Sequence, residues 1–165
     1  MMKLTPLPPG LRLSHPAALV STWFGSGLLP KAPGTWGSLA ALPPALLIVW
    51  IGGPSALVLC GVLAFIAGIP AASRYAAALG KDDPSEVVID EVAAQWLVLA
   101  VLPLTPLAWC AGFILFRLFD VVKPWPVSLA DRRLKGGLGI MSDDIVAAAY
   151  AVLAILAIRY FTGAL

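Results

Sequence analysis

The sequence predicts an all-α fold, a multi-pass membrane bundle of four to five helices. Three observations lead there. Of 165 residues, 60% are hydrophobic and only 12% charged, with a mean hydropathy of +0.92. Soluble domains run at about 45–50% apolar and about 25% charged. The apolar excess is gathered into runs of helical length. The remaining charges fall almost entirely on one side when those runs alternate across a bilayer.

Five helical segments can be drawn in order. The first covers 38–51 and is ended by Gly52, Gly53 and Pro54. It contains Pro43 and Pro44 and falls short of the roughly 17 residues that a bilayer span needs, so it reads as re-entrant or as tilted into a protein-lined groove. The second covers 55–79, with Pro70 as a kink. The third, 86–102, is broken by the Pro103-Leu104-Thr105-Pro106 turn. The fourth, 107–122, is stopped by Lys123-Pro124-Trp125-Pro126. The fifth, 142–161, opens after Ser142 as its N-cap. A short amphipathic helix fits 127–135. The length suits one domain over residues 1–165. A compact soluble bundle is the alternative, since several segments are short for a bilayer.

The net charge of +2 says little about nucleic acid, but no basic patch with interleaved aromatics appears, so no nucleic-acid partner is expected. Cys60 and Cys110 lie in apolar runs and do not suggest a disulfide framework. The first 37 residues do not resemble a secretory signal. With alternating segments, the uncharged turns at 52–54 and 103–106 fall on one side. Ten of the eleven basic residues fall on the other, with Arg159 the exception. By the positive-inside rule the charged side is cytoplasmic.

All nine acidic residues lie between Asp82 and Asp144, on that same side. Asp90 and Glu91 interrupt an apolar run, Asp120 ends another, and Asp143 and Asp144 open a third. Carboxylates so close to hydrocarbon cost several kcal/mol unless paired, hydrated or bound to a cation. Glu86 and Asp90 share a face at four-residue spacing, as Arg117 and Asp120 do at three. A hard divalent cation is the economical counter-charge: oxygen ligands without imidazoles suit magnesium or manganese, and His15 is the only histidine. Blander readings stand beside this one. Asp143 and Asp144 would also complement a helix N-terminus, Arg117 and Asp120 would make a buried ion pair, and Glu86 would start a helix. Asp82 and Asp83 read as solvated loop charges. Asp90-Glu91 resists a bland reading.

Residues 24–27 (FGSG) and 33–38 (PGTWGS) lead into the first apolar helix, with Lys31 just upstream. Amides at a helix N-terminus bind phosphate, and glycine permits close backbone approach. The same pattern also reads as a Gly/Pro-rich turn with Ser38 as a cap. Lys123, Arg132, Arg133 and Lys135 can hold phosphate or lie along anionic headgroups. Acids, basic groups and an amide-rich turn at a membrane face fit chemistry on a phosphorylated lipid.

The stretches FGSGLLPKAPGTWGSLAALP (24–43), IDEVAAQW (89–96) and FRLFDVVKPWPVSLADRRLKGGLGIMSDDIVAA (116–148) resemble the phosphatidylglycerophosphatase A family, in family order. The resemblance leaves 1–23 as a variable N-terminal segment. It implies a magnesium-dependent phosphatase that converts phosphatidylglycerophosphate to phosphatidylglycerol in the bacterial inner (cytoplasmic) membrane, its active site facing the cytoplasm. It carries the family's acidic positions onto Asp90, Glu91, Asp120, Asp143 and Asp144. Among these, Asp90, Asp143 and Asp144 are the leading metal ligands and Glu91 is expected with them, Glu91 or Asp120 completing the shell or orienting water. Lys31, Gly34, Thr35, Ser38, Arg117 and Lys123 are expected on the substrate phosphate.

Water is the expected nucleophile. Six residues lie between Cys110 and Arg117, where a cysteine-phosphatase loop has five, and both lie in an apolar helix; no Asp-x-Asp pair occurs, and 24–148 holds no histidine. A CDP-alcohol-type headgroup phosphotransferase would need an Asp-x-x-x-Asp, which is absent. A cation-coupled transporter would carry its acids to the bilayer midplane, and these stay near one helix end. A scaffold would not need three helices to aim acids at one place.

Overall fold

A computed structural model of the chain describes residues 4–125 and 136–163. The predicted 127–135 helix and the basic residues Arg132, Arg133 and Lys135 lie outside them. Among the described residues the fold is all-helical. In chain order come α1 (Pro16–Ser21), a 3-10 turn (Ser26–Leu28), α2 (Pro33–Ala40), α3 (Leu42–Leu79), α4 (Ile89–Leu99), α5 (Pro106–Val122) and α6 (Gly136–Thr162).

The long α3 is two arms. Gly53 has φ 72° and ψ −176°, a conformation essentially reserved for glycine, and Pro54 follows it. Contacts with α4 show that the chain reverses there. Before the break, a Cβ on Gly37 of α2 would meet Val88, and Ala41 accepts the indole N–H of Trp96 at 2.9 Å. After it, Gly61 packs on Leu97, and Gly68 packs on Ile89 and Met141. So 42–52 runs with α4 and 54–79 against it. The turn predicted at 52–54 is present, inside what hydrogen bonding alone counts as one helix. α5 returns antiparallel to α4, with Gly112 against Leu102 near one end and Arg117 beside Glu91 near the other. α6 runs parallel to α4, from Asp144 near Asp90 to Arg159, whose guanidinium donates to the Val101 carbonyl.

Helix α4 is the centre of the bundle. Nine of its eleven residues are buried, against α2, α3, α5 and α6. At about 1.5 Å per residue it is too short to cross hydrocarbon, but its neighbours cover it. Elsewhere large apolar side chains face outward: Trp50, Ile51, Leu63, Ile66, Leu107, Ile114 and Leu153 are all more than half exposed. Two segments, Pro33–Leu79 and Gly136–Thr162, are long and apolar enough to cross a membrane.

Three sequence expectations are corrected. Helix α4 begins at Ile89, so Glu86 precedes it and the four-residue helical relation to Asp90 does not apply. Ser38 does not cap a helix. It sits inside α2, where its hydroxyl donates to the Gly34 carbonyl at 2.9 Å, and Ala32 holds the N-cap position. Ser142 is no cap either, because α6 starts six residues earlier, at Gly136. There the Gly137 N–H donates to Ser73 Oγ and ties the new helix to α3. The Ser142 hydroxyl donates back to the Leu138 carbonyl at 2.6 Å.

Candidate functional site

That last correction removes the bland account of Asp143 and Asp144. Nearly two turns inside α6, they are beyond reach of its N-terminal dipole, which acts over the first turn. Both are buried all the same. Asp90 and Glu91 sit in the first turn of α4, and Asp120 in the last turn of α5. The helix directions described above bring all of them to one end of the bundle.

Asp90, Glu91 and Asp144 each offer a carboxylate oxygen, and these oxygens lie within 4.8 Å of one another. Asp90 Oδ1 also accepts from the Glu91 N–H at 3.0 Å, which fixes its rotamer. Asp120 lies against Asp144. Like charges at this spacing repel strongly in surroundings of low dielectric. Two cations offset part of that. Arg117 Nη1 pairs with Asp120 Oδ2 at 2.5 Å and approaches Glu91 Oε1 at 3.6 Å, while Lys123 Nζ pairs with Asp143 Oδ2 at 2.6 Å. Lys123 reaches inward from a left-handed C-cap (φ 43°) that ends α5.

These pairs leave part of the cluster without a counter-charge. Glu91 Oε2 and Asp144 Oδ2 are buried and have no hydrogen-bond partner among the described residues. Buried carboxylate oxygens in that state are satisfied by a proton, a water or a cation. A three-acid, all-oxygen donor set with unsatisfied oxygens fits a small hard divalent cation. The set differs by one residue from the four expected. Asp143 stands beside it, with its Oδ2 on Lys123.

The Gly-rich turn reaches the same place. Lys31 and Ala32 both adopt left-handed conformations, φ 59° and 52°, before α2 starts at Pro33. Strain of this kind collects at functional sites. Helix α2 then lies so close to the cluster that a Cβ on Gly34 would collide with Glu91 Oε1 and stand 3.1 Å from Arg117 Nη1. Lys31 is exposed at the edge, and Thr35 is half-buried. The Thr35 and Trp36 amides are already engaged by the Ala32 carbonyl, and Ser38 is fully buried. Of the six residues expected on phosphate, Lys31 is therefore the freest to meet an anion, while the Gly34 backbone is buried against Glu91. Arg117 and Lys123 hold carboxylates.

Asp82 and Asp83 are exposed in the loop, as expected. Glu86 is buried close to Tyr75 of α3 and stands apart from the three-acid set. Sequence reasoning passed over Gln95, which is fully buried one turn beyond Glu91 with neither amide atom partnered among the described residues. A polar residue at four-residue spacing from an acid, inside the run VAAQWLVL, was the signal that pointed to it.

Comparison with known proteins places the chain in a family. Residues 19–159 match the phosphatidylglycerophosphatase A family. The chain is 38% identical over 152 residues to a protein of Haemophilus influenzae named phosphatidylglycerophosphatase A, covering 92% of this chain and 93% of that one. It is 39% identical over 156 residues to the Escherichia coli protein of the same name, covering 93% and 87%. A Bacteroides thetaiotaomicron protein named putative phosphatidylinositol-3-phosphatase is 39% identical over 165 residues, covering 92% and 99%. No solved structure matches the chain.

Proposed function

Because the chain belongs to the phosphatidylglycerophosphatase A family, we propose that it is a magnesium-dependent lipid phosphatase of the bacterial inner membrane. On this reading it hydrolyses phosphatidylglycerophosphate to phosphatidylglycerol and phosphate at the cytoplasmic face. The observation that carries the reading is the convergence of Asp90, Glu91 and Asp144 within 4.8 Å, at the end of the bundle where α2 brings Gly34 against Glu91.

A membrane setting is supported by what the apolar helices do not bury. Only 11% of the most apolar stretch in Pro33–Leu79 is buried, and 22% in Gly136–Thr162. Core helices of a soluble bundle would be largely covered, and exposed apolar area on this scale asks for lipid. The acids and most basic residues share one end, which the positive-inside rule puts in the cytoplasm.

Asp90, Glu91 and Asp144 would hold the metal. When bound, magnesium supplies neutralisation of phosphate charge and Lewis acidity toward water. The chain's own groups do the rest. Arg117 bridges Glu91 and Asp120 and holds both carboxylates in place, as Lys123 does for Asp143. Asp120, outside the three-acid set but against Asp144, would orient the attacking water and take its proton. Lys31 receives the phosphate oxygens, where charge builds up as the bond to the lipid oxygen breaks.

Purified protein should release phosphate from phosphatidylglycerophosphate when magnesium is present and stop when a chelator is added. Turnover that survives complete chelation would refute the metal-assisted mechanism. The Bacteroides relative's name favours one second reading, a different phosphorylated headgroup on the same site. Side-by-side rates on phosphatidylglycerophosphate and phosphatidylinositol 3-phosphate decide between them.

A further inference from the structure

Gln95 lies one turn beyond Glu91 on α4, on the same face at four-residue spacing. Its side chain is 0% exposed, and neither Oε1 nor Nε2 has a hydrogen-bond partner among the described residues. An amide buried without partners destabilises a fold, and an apolar residue of the same shape would serve the core better. Something other than packing accounts for a glutamine there.

The surroundings indicate what that is. Helical side chains lean toward the N-terminus of their helix. The amide is therefore drawn toward Glu91 and away from the apolar half of α4. Among the described residues Glu91 Oε2 is itself buried without a partner, and so is Nε of Arg117, whose guanidinium approaches the same carboxylate. Helix α2 runs alongside, and Gly34 abuts Glu91. One face of α4 thus carries an amide and, one turn earlier, a carboxylate oxygen beside which α5 brings a guanidinium N–H, each buried without a hydrogen-bond partner among the described residues.

We propose that Gln95 is a positioning residue. With Glu91 and Arg117 it encloses a buried water between α2, α4 and α5, and through that water it holds the Glu91 carboxylate toward Asp90 and Asp144. A buried water needs about two to four polar partners. Here it donates to Gln95 Oε1 and Glu91 Oε2 and accepts from Gln95 Nε2 or Arg117 Nε. This role rests on the phosphatase reading given above, because it acts through Glu91.

The test compares wild type, Gln95→Met and Gln95→Asn in detergent, reading phosphate release and Tm. Methionine keeps the shape and removes the hydrogen bonds. Gln95→Met should lower kcat about tenfold or more, the usual scale for a group that orients a metal ligand. KM should be unchanged, and Tm equal to or above that of wild type. Gln95→Asn, which keeps an amide, should recover part of the loss. The proposal is overturned if Gln95→Met stays within about twofold of wild type in kcat, the range of an ordinary neutral substitution. It is also overturned if kcat falls together with Tm, or if Gln95→Asn is no better than Gln95→Met. A wild type that releases no phosphate overturns the phosphatase reading itself, and this role with it.

Discussion

At one end of the bundle, Asp90, Glu91, Asp120, Asp143 and Asp144 crowd together under Arg117, Lys123 and the closely packed α2. At the other, α3 turns at Gly53, α4 gives way to a capped turn at Thr105, and α6 finishes near Arg159, with no acid in any of them. The helices are the same at both ends, but glycine does different work in each. Gly34 is there because a neighbour occupies the space a side chain would take. Gly53 has nothing within 4 Å of where its Cβ would be and is there because of its φ of 72°. The acid end is constrained by chemistry packed against backbone, and the far end only by the path of the chain.

The largest effect should come from the centre of the acid end. Asp90→Asn keeps the shape and the contact with the Glu91 N–H while removing one charge from the three-acid set. Phosphate release should fall by about a hundredfold or more, with the protein still monodisperse in detergent. Near-normal turnover would make Asp90 structural and erase the distinction between the two ends.

Next in size is Gly34→Ala. The added methyl collides with Glu91 Oε1 and crowds Arg117, so either α2 or the Glu91–Arg117 pair has to move. Displacing a ligand's support costs about 10- to 100-fold in metal affinity or rate. A magnesium titration of activity should show a weaker apparent affinity together with the lower rate. A loss of rate with unchanged magnesium dependence would place the damage away from Glu91.

Much of this architecture could be read from the chain before any coordinates. The turns at 52–54 and 103–106 carry glycine and proline, and the structure places both at the far end. The Arg117–Asp120 pair follows from three-residue spacing on one helix. Two kinds of feature were hidden. Helix starts were misplaced at Ser38 and Ser142 because a serine hydroxyl within a helix donates back to the carbonyl four residues earlier, and sequence cannot separate that from capping. The second kind is tertiary. Nothing local says that Lys123 turns back onto Asp143 or that Arg117 faces Glu91. Only the directions of α4, α5 and α6 decide which charges meet, so two cations that look available to phosphate are engaged by carboxylates.

Gly53→Ala probes the far end by the same chemical change as Gly34→Ala, and the contrast should be plain. A methyl there meets no atom, but alanine is strained in that backbone region by about 1–3 kcal/mol. Tm should therefore drop while kcat and magnesium dependence stay near wild type. If kcat at saturating magnesium falls as far as in Gly34→Ala, the reversal at Gly53 helps to set the site, and the two ends are not independent.

The smallest effect is expected at Arg159. It is exposed, and its guanidinium makes only a long contact, 3.4 Å, with the Val101 carbonyl. Arg159→Gln retains a donor at that position, so rate and Tm should change little, within about twofold and about 0.5 kcal/mol. The residue is informative because it is the one basic group that alternating helices put opposite the acids. If the positive charge at the acid end dominates orientation, neutralising Arg159 leaves that end in the cytoplasm, and labelling of an introduced cysteine should report the same side as in wild type. Removing the one opposing charge can only strengthen that bias, so a changed labelling side would mean that the charge asymmetry does not set where the acids face.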